Sequence, residues 1–385
     1  MIVQAGDNII SSLGFTAEDN YRAVKSGRSG IRLYDSYRGI PEPFFASFID
    51  REELDDRFAA IGRCEDYTPM ERAAILSACY AAEQARIDLS DPGILFVFSS
   101  TKGNVHLLDE GGNMFSQAHL YLWHTAGLVA GYFHNSNTPV VISNACISGA
   151  CAQIAAMREL ESGCYGHAVV IGIDMLSKFI ISGFQSLKAL APGICRPFDA
   201  GRSGLNLGEA ASTIIYKKAG KDDSYAISLE KGAIRNDANH ISGPSRTGEG
   251  CFLAMQATLR EMEPDDLAFI NAHGTATVYN DRMESVAITR AGLNRVPVNS
   301  LKGYFGHTLG AAGILESIIS ARALIEQTVL PTHGFRQIDP DYPLNVTERL
   351  ARTDRPYCLK MLSGFGGCNA ALLFKKNKKT DDALS

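Results

Sequence analysis

The run TPVVISNACISGACAQIAAMR (residues 138–158) joins two kinds of secondary structure through one chemically active residue. Val140, Val141 and Ile142 are short, apolar and β-branched, which reads as a buried strand. Ser143, Asn144 and Ala145 turn the chain. From Ile147 onward small and apolar residues fall at helical spacing: Ala150, Ile154, Ala155 and Met157. Cys146 therefore stands where a buried strand gives way to a buried helix. Unpaired amides and the positive dipole end at such a place favour thiolate. Ser148, Gly149 and Ala150 are small enough to admit another backbone or a substrate. A lone buried cysteine is more often a core thiol than a nucleophile, so the remaining sequence must choose.

Outward from this run, composition excludes several classes. The chain has 385 residues, 45% hydrophobic and 21% charged, as in soluble globular proteins. A formal net charge of −5 and the lack of a long basic stripe argue against nucleic-acid binding. The short basic tail KKNKK (residues 375–379) reads as a solvated end. Nine cysteines form no CxxC pair and no disulfide framework, which fits reduced thiols in the cytoplasm. The N-terminus lacks the pattern of a signal peptide. No apolar run approaches the roughly 18 residues that a membrane span needs. Neither a metal nor a membrane partner is expected.

Strands and helices alternate along the chain. Residues 1–5 read as a truncated first strand, 6–14 as a loop, and Thr16 as the N-cap of a helix ending near residue 25. Residues 31–68 read as irregular apart from a short strand over 44–48. Helices follow over 69–87 and 117–132, buried strands over 94–99 and 168–173, and a Gly-containing loop over 101–113. The polar stretch KKAGKDDS (residues 217–224) marks a boundary, dividing the chain into 1–219 and 220–385. Beyond it come strands over 225–234, 267–271 and 296–299 and helices over 248–261 and 281–291. A Gly-rich helix start lies at 306–325, followed by strands over 357–362 and 370–374. Continuous apolar strands separated by helices predict an α/β fold whose mostly parallel sheet is covered on both faces.

Three further turns carry polar residues flanked by glycine: NAHGTAT (271–277), NSLKGYFGHTLGAAG (299–313) and LSGFGGCN (362–369). Each follows or separates strands, and strand carboxyl ends are where such sheets bind ligands. One histidine in a turn means little. Two, together with a helix-start cysteine, form a constellation.

These motifs resemble those of the β-ketoacyl synthases, the condensing enzymes of fatty-acid and polyketide assembly. The resemblance runs from NIISSLG (8–14) to GFGGCNA (364–370) and includes CRPFDAGRSGLNLGEAA (195–211). It implies a thiolase-like fold, with two pseudo-symmetric βαβαβ halves in a five-layered αβαβα arrangement. It also implies an acyltransferase that joins a Cys146-bound acyl group to a malonyl thioester by decarboxylative condensation. By resemblance Cys146 is the nucleophile and His273 and His307 are donors to the enolate oxygen. Lys302 sets the electrostatics with Glu316. Phe365 matches the aromatic gate, and its amide joins that of Cys146 as an oxyanion donor. Thr275 and Thr277 match threonines that bind the phosphopantetheine of an acyl carrier protein. No cofactor beyond that carried arm is implied, and the chain is expected to pair with a second copy or a homologous subunit.

The sequence also departs from the family pattern. Val278 replaces a proline, and Ser363 replaces an aromatic in the last loop. Cys368 occupies a region where thiolases carry a second reactive cysteine, yet the intact second histidine motif argues for a packed thiol. CEDYTP (64–69) lacks the basic residues that dock an acidic carrier in the family, so either docking uses other residues, such as Arg202, or the carrier is unusual. Primary fatty-acid, polyketide and aryl-polyene pathways all stay open. A catalytically silent chain-length-factor-like partner ranks lower because the nucleophile and both histidines are present. A CoA-dependent thiolase-like acyltransferase ranks below that.

Overall fold

The computed structural model describes residues 1–377 except 38, 110–114, 221–225 and 261. The chain opens with β1 (Ile2–Ser11) and α1 (Ala17–Lys25), and Thr16 caps the helix by accepting from the Asp19 amide at 3.1 Å. A small pair, β2 (Arg32–Tyr34) and β3 (Phe44–Ser47), precedes α2 (Arg51–Ala59) and α3 (Pro69–Ala85). Thr68 and Glu71 form a capping box at the start of α3. Then follow β4 (Ile94–Ser99), α4 (Leu122–Tyr132), β5 (Val140–Ile142), α5 (Ser148–Ser162), β6 (His167–Asp174) and α6 (Lys178–Ser186). A short β7 (Leu207–Gly208) leads into β8 (Ala210–Lys218), which ends the first half.

The second half contains β9 (Ile227–Asn236), α7 (Glu249–Leu259), β10 (Leu267–Asn271), α8 (Val278–Arg290) and β11 (Val298–Asn299). After the short α9 (Lys302–Phe305) come α10 (Ala312–Ile325), the pair β12 (Thr328–Val329) and β13 (Ala351–Arg352), and the hairpin β14 (Tyr357–Gly364) and β15 (Cys368–Lys376).

Ten strands join in the order β11-β10-β14-β15-β9-β1-β8-β6-β4-β5. Each half contributes five, and within each half the spatial order is third, second, fourth, fifth, first. The sense of pairing repeats too: second with third and fourth parallel, fourth with fifth and fifth with first antiparallel. The halves meet where β1 pairs with β9 at only Ile2 and Val3. Helices α5 and α10 lie between the two half-sheets, α3 covers the outer face of one and α7 that of the other. Five layers result. α5 and α10 pack with their backbones in near contact, because a Cβ on Gly149 would sit 2.9 Å from the Gly310 carbonyl and one on Gly313 would sit 2.6 Å from the Ala150 amide.

Several local expectations need correction. The loop read over 6–14 belongs largely to β1, which continues through a bulge between Gln4 and Gly6. Gly6 lets α3 press against the strand, since a Cβ there would meet the Ala81 carbonyl at 2.3 Å, and Asp7 is held by Arg322 at 2.6 Å. The segment read as irregular over 31–68 contains α2, capped by Asp50, whose polar face hid its two core residues Leu54 and Phe58. The helix read over 117–132 is broken at Tyr121, with a 3-10 turn before it and α4 after it. Helix α6 was not anticipated. Parts of the stretches read over 101–113, 217–224, 225–234, 248–261 and 375–379 lie outside the described residues.

Candidate active site

Cys146 sits in the turn between β5 and α5. Ala145 before it adopts a left-handed φ of 46°, unusual for a residue with a Cβ. Ser148 holds this turn by accepting from the Asn144 amide at 2.8 Å and donating to the Ala145 carbonyl at 2.6 Å. Left-handed φ recurs at Phe198 (61°), Ala276 (64°) and Leu309 (51°). Ala276 and Leu309 lie in the two histidine turns, and non-glycine strain of this kind is retained where surrounding contacts over-determine the backbone.

The turns converge. The thiol and the two imidazoles each bring one donor atom to within 4.8 Å of the others, and all three residues are buried. The rings of His273 and His307 stand edge to face with centroids 5.0 Å apart. Glu284 fixes the His273 turn, its two oxygens accepting from the amides of His273 and Gly274 at 2.7 Å each. His307 Nδ1 accepts from the Leu309 amide at 3.3 Å, so a neutral ring must carry its proton on Nε2. That Nε2, like Nδ1 of His273, has no hydrogen-bond partner among the described residues.

Burial, then the positive charge of Lys302, holds both imidazoles well below the usual histidine range. They are neutral at physiological pH. The thiol moves the other way from expectation: burial, with Cys368 adding to it, pushes Cys146 up to about 12 against the pull of Lys302 and the Phe365 amide. Magnitude explains the reversal. Helix α5 begins only at Ser148, and a helix terminus is worth about 0.3–1 kcal/mol. Complete burial can move a pKa by roughly 3–5 units.

Glu316 links a buried chain of charge. It pairs with Lys302 through one oxygen and with Lys360 through the other at 2.6 Å. The sequence reading foresaw the first pair and missed the second, because a single lysine in an otherwise apolar strand carries no motif. Phe365 is 42% exposed in the turn joining β14 to β15, with its ring stacked on Phe184 at 6.0 Å. Its amide faces the Cys146 thiol. Gly366 and Gly367 beside it have φ of 84° and 73°.

A cavity of about 430 Å³ opens onto the site, lined by Cys146, His273, His307 and Phe365 together with Thr275 and Thr277. The two threonine hydroxyls lie 2.9 Å apart. Val278 takes the first position of α8, where a proline would also fit. Ser363 lines the same cavity and donates to Asn369 at 2.7 Å. Cys368 is a buried thiol against the carbonyls of Phe365 and Asn144. Arg202 corrects an expectation. Its side chain is 3% exposed and committed to Asp339 at 3.0 Å and the Asp199 carbonyl at 2.9 Å. It offers no surface cation for docking.

The β-ketoacyl synthase N-terminal domain matches residues 2–221, and the β-ketoacyl synthase C-terminal domain matches residues 225–336. Nodulation protein E of Rhizobium leguminosarum bv. trifolii is 34% identical over 251 residues, spanning 61% of each chain. The 3-oxoacyl-[acyl-carrier-protein] synthase 2 of Vibrio harveyi is 27% identical over 420 residues, spanning 97% of this chain and 98% of the relative. A solved structure of the ishigamide ketosynthase/chain length factor aligns with a TM-score of 0.90 at 25% identity, covering 98% of this chain and 99% of that one. Among the described residues no helix is long and apolar enough to cross a membrane. The chain belongs to the β-ketoacyl synthase family, as an acyltransferase with the thiolase-like fold that catalyses β-ketoacyl condensation.

Proposed function

We propose that the protein is an elongating β-ketoacyl-acyl-carrier-protein synthase in which Cys146 takes the growing acyl group and His273 and His307 serve the malonyl unit. One observation carries this division: two neutral imidazoles with unpartnered ring nitrogens face a buried thiol across the same cavity. In the first step the Cys146 sulfur bonds to the acyl carbonyl carbon, the carrier thioester C–S bond breaks, and the thiol proton leaves on the carrier thiol. The amides of Cys146 and Phe365 receive the transient oxyanion. In the second step the malonyl C–C bond breaks, CO2 departs, and its electron pair forms an enolate. Imidazole N–H groups stabilise the enolate oxygen, and uncharged donors suit it because no proton need be surrendered. The enolate carbon then bonds to the acyl carbonyl carbon, the bond to Cys146 breaks, and the departing thiolate takes a proton from solvent.

Thr275 and Thr277 line the approach and hydrogen-bond the phosphopantetheine amides; the carried arm is the sole cofactor. Phe365, in its glycine-flanked turn, gates access to Cys146. Lys302 and Glu316 fix the charge beneath the histidines. Residues 1–219 and 220–385 are the two thiolase-like halves, a division that the repeated strand order supports. The partner is an acyl carrier protein, and the compartment is the cytoplasm. β5 ends the ten-stranded sheet with no partner on its outer edge among the described residues, and α4, which packs on β5, carries Trp123 67% exposed. This edge supports pairing with a second copy or with a homologous subunit, such as the chain length factor named with the ishigamide ketosynthase. Incubation with a panel of acyl-carrier thioesters, read by intact and peptide mass spectrometry, tests the assignment. Acyl mass is expected on Cys146 and absent from Cys146→Ala; acylation elsewhere in the variant would overturn it.

A further inference from the structure

Lys360 is fully enclosed on β14, where a lone ammonium would be expensive to bury. It is not alone. Its Nζ lies 2.6 Å from Glu316 on α10 and donates to the carbonyls of Met361 at 2.8 Å and of Asn271 and Ala272 at 3.4 Å each. Asn271 ends β10, and Ala272 immediately precedes His273. Lys360 therefore holds two things at once: the carboxylate that pairs with Lys302, and the strand end that aims the first imidazole. Lys302 and Lys360 also set two ammonium groups against the single carboxylate of Glu316. The other charged groups reaching Lys360 are Lys302 and Glu284. Glu284 spends both oxygens on backbone amides, and burial with Asp281 raises it to about 7. Neutral His273 and His307 and the buried Cys358 thiol, which burial keeps protonated, also face it. Before any anion forms, the Lys302–Glu316–Lys360 bridge itself carries an excess of positive charge.

We propose that Lys360 is a positioning residue for the decarboxylating half of the reaction, fixing Lys302 through Glu316 and His273 through the β10 carbonyls while supplying the unbalanced positive charge beneath the enolate. This rests on the condensing role proposed above. The ammonium form is the active one. Burial lowers Lys360 to about 8, so its contribution is present below that pH and lost as pH rises through it.

The test compares wild type with Lys360→Met and Lys360→Gln between pH 6 and 9. Two steps are read separately: single-turnover acylation of Cys146, and CO2 release from a malonyl-carrier thioester. Both variants are expected to lose about 10- to 100-fold in CO2 release, with acylation falling far less. Wild-type CO2 release should decline as pH rises through about 8, and that limb should vanish in the variants. If Lys360 only plugs the strand ends, Lys360→Gln, which still donates to carbonyls, restores CO2 release, while in Lys360→Met both steps fall together; either result overturns the proposal. Should neither variant fold, the wild-type profile decides, and no decline near pH 8 overturns it. Failure of wild type to release CO2 would instead sink the condensing role itself.

Discussion

The two halves place the same three turns at the same ends of the same strands, yet fill them differently. After its second strand the first half has Ser100 and Thr101, and the second half has His273. At the end of the fourth strand the first half has Asp174, and the second has the turn bearing Phe365. Asp174 is buried and fully engaged: it accepts from the Ser100 hydroxyl at 2.7 Å, the Thr101 amide and hydroxyl at 2.9 Å each, and the Gly310 amide at 2.7 Å. The second half's counterpart of the Ser100–Thr101 turn instead presents His273, whose Nδ1, like Nε2 of His307, has no hydrogen-bond partner among the described residues. On the assignment proposed above, the third turn carries a catalytic residue in both halves, Cys146 in one and His307 in the other. A duplicated backbone has thus closed its hydrogen bonds on one side and left them open on the other. Buried polar atoms are nearly always paired, and among the unpartnered ones these two ring nitrogens belong to residues that line the cavity beside Cys146.

Breaking the open side should have the largest effect. His307→Ala removes the Nε2 donor and is expected to lower malonyl decarboxylation on the order of 100- to 1000-fold, measured as CO2 release. Breaking the closed side should instead cost stability. Asp174→Ala strands several buried donors, each worth about 1–3 kcal/mol when unpaired. Denaturant unfolding should show the loss while the ratio of acylation to decarboxylation stays constant; a selective loss of one step would place Asp174 among the functional residues. The third effect needs no variant and is a pH slope. Because burial raises the Cys146 thiol to about 12, the thiolate fraction, and with it the wild-type acylation rate, should climb between pH 7 and 9 by up to about tenfold per unit. A flat profile would mean that the thiolate is already formed when substrate is bound.

A residue was legible in the sequence to the degree that its role depends on its chain neighbours. Cys146, His273, Lys302, His307 and Phe365 lie in short runs whose glycines and strand ends reveal them locally, and Glu316 follows one of these runs on the next helix; the structure sets Cys146, His273, His307 and Phe365 around one cavity and buries the Lys302–Glu316 pair behind them. The thiol's acidity was misread because it depends on the groups that enclose Cys146 in space, not on the helix start beside it in the chain. Arg202 looked like a surface cation for the same reason, since its partner Asp339 is 137 residues away. Lys360 was invisible: its meaning lies in Glu316 on α10 and the carbonyls of β10. The first strand was cut short because Gly6, Asp7 and Asn8 have loop-like local preferences. Packing on α3 and the ion pair to Arg322 override them.

The central claim is that Cys146 and the histidines serve different steps. The most direct measurement is single-turnover acylation of Cys146 in His273→Ala and His307→Ala, each expressed as a fraction of wild type at every pH from 6 to 9. If the imidazoles act only as neutral donors to the enolate, each fraction stays constant across pH and close to one, even where CO2 release has collapsed. If either histidine is instead the base that deprotonates the thiol, its variant will fail to acylate near neutrality and approach wild type as pH rises. That pH-dependent rescue would contradict the account.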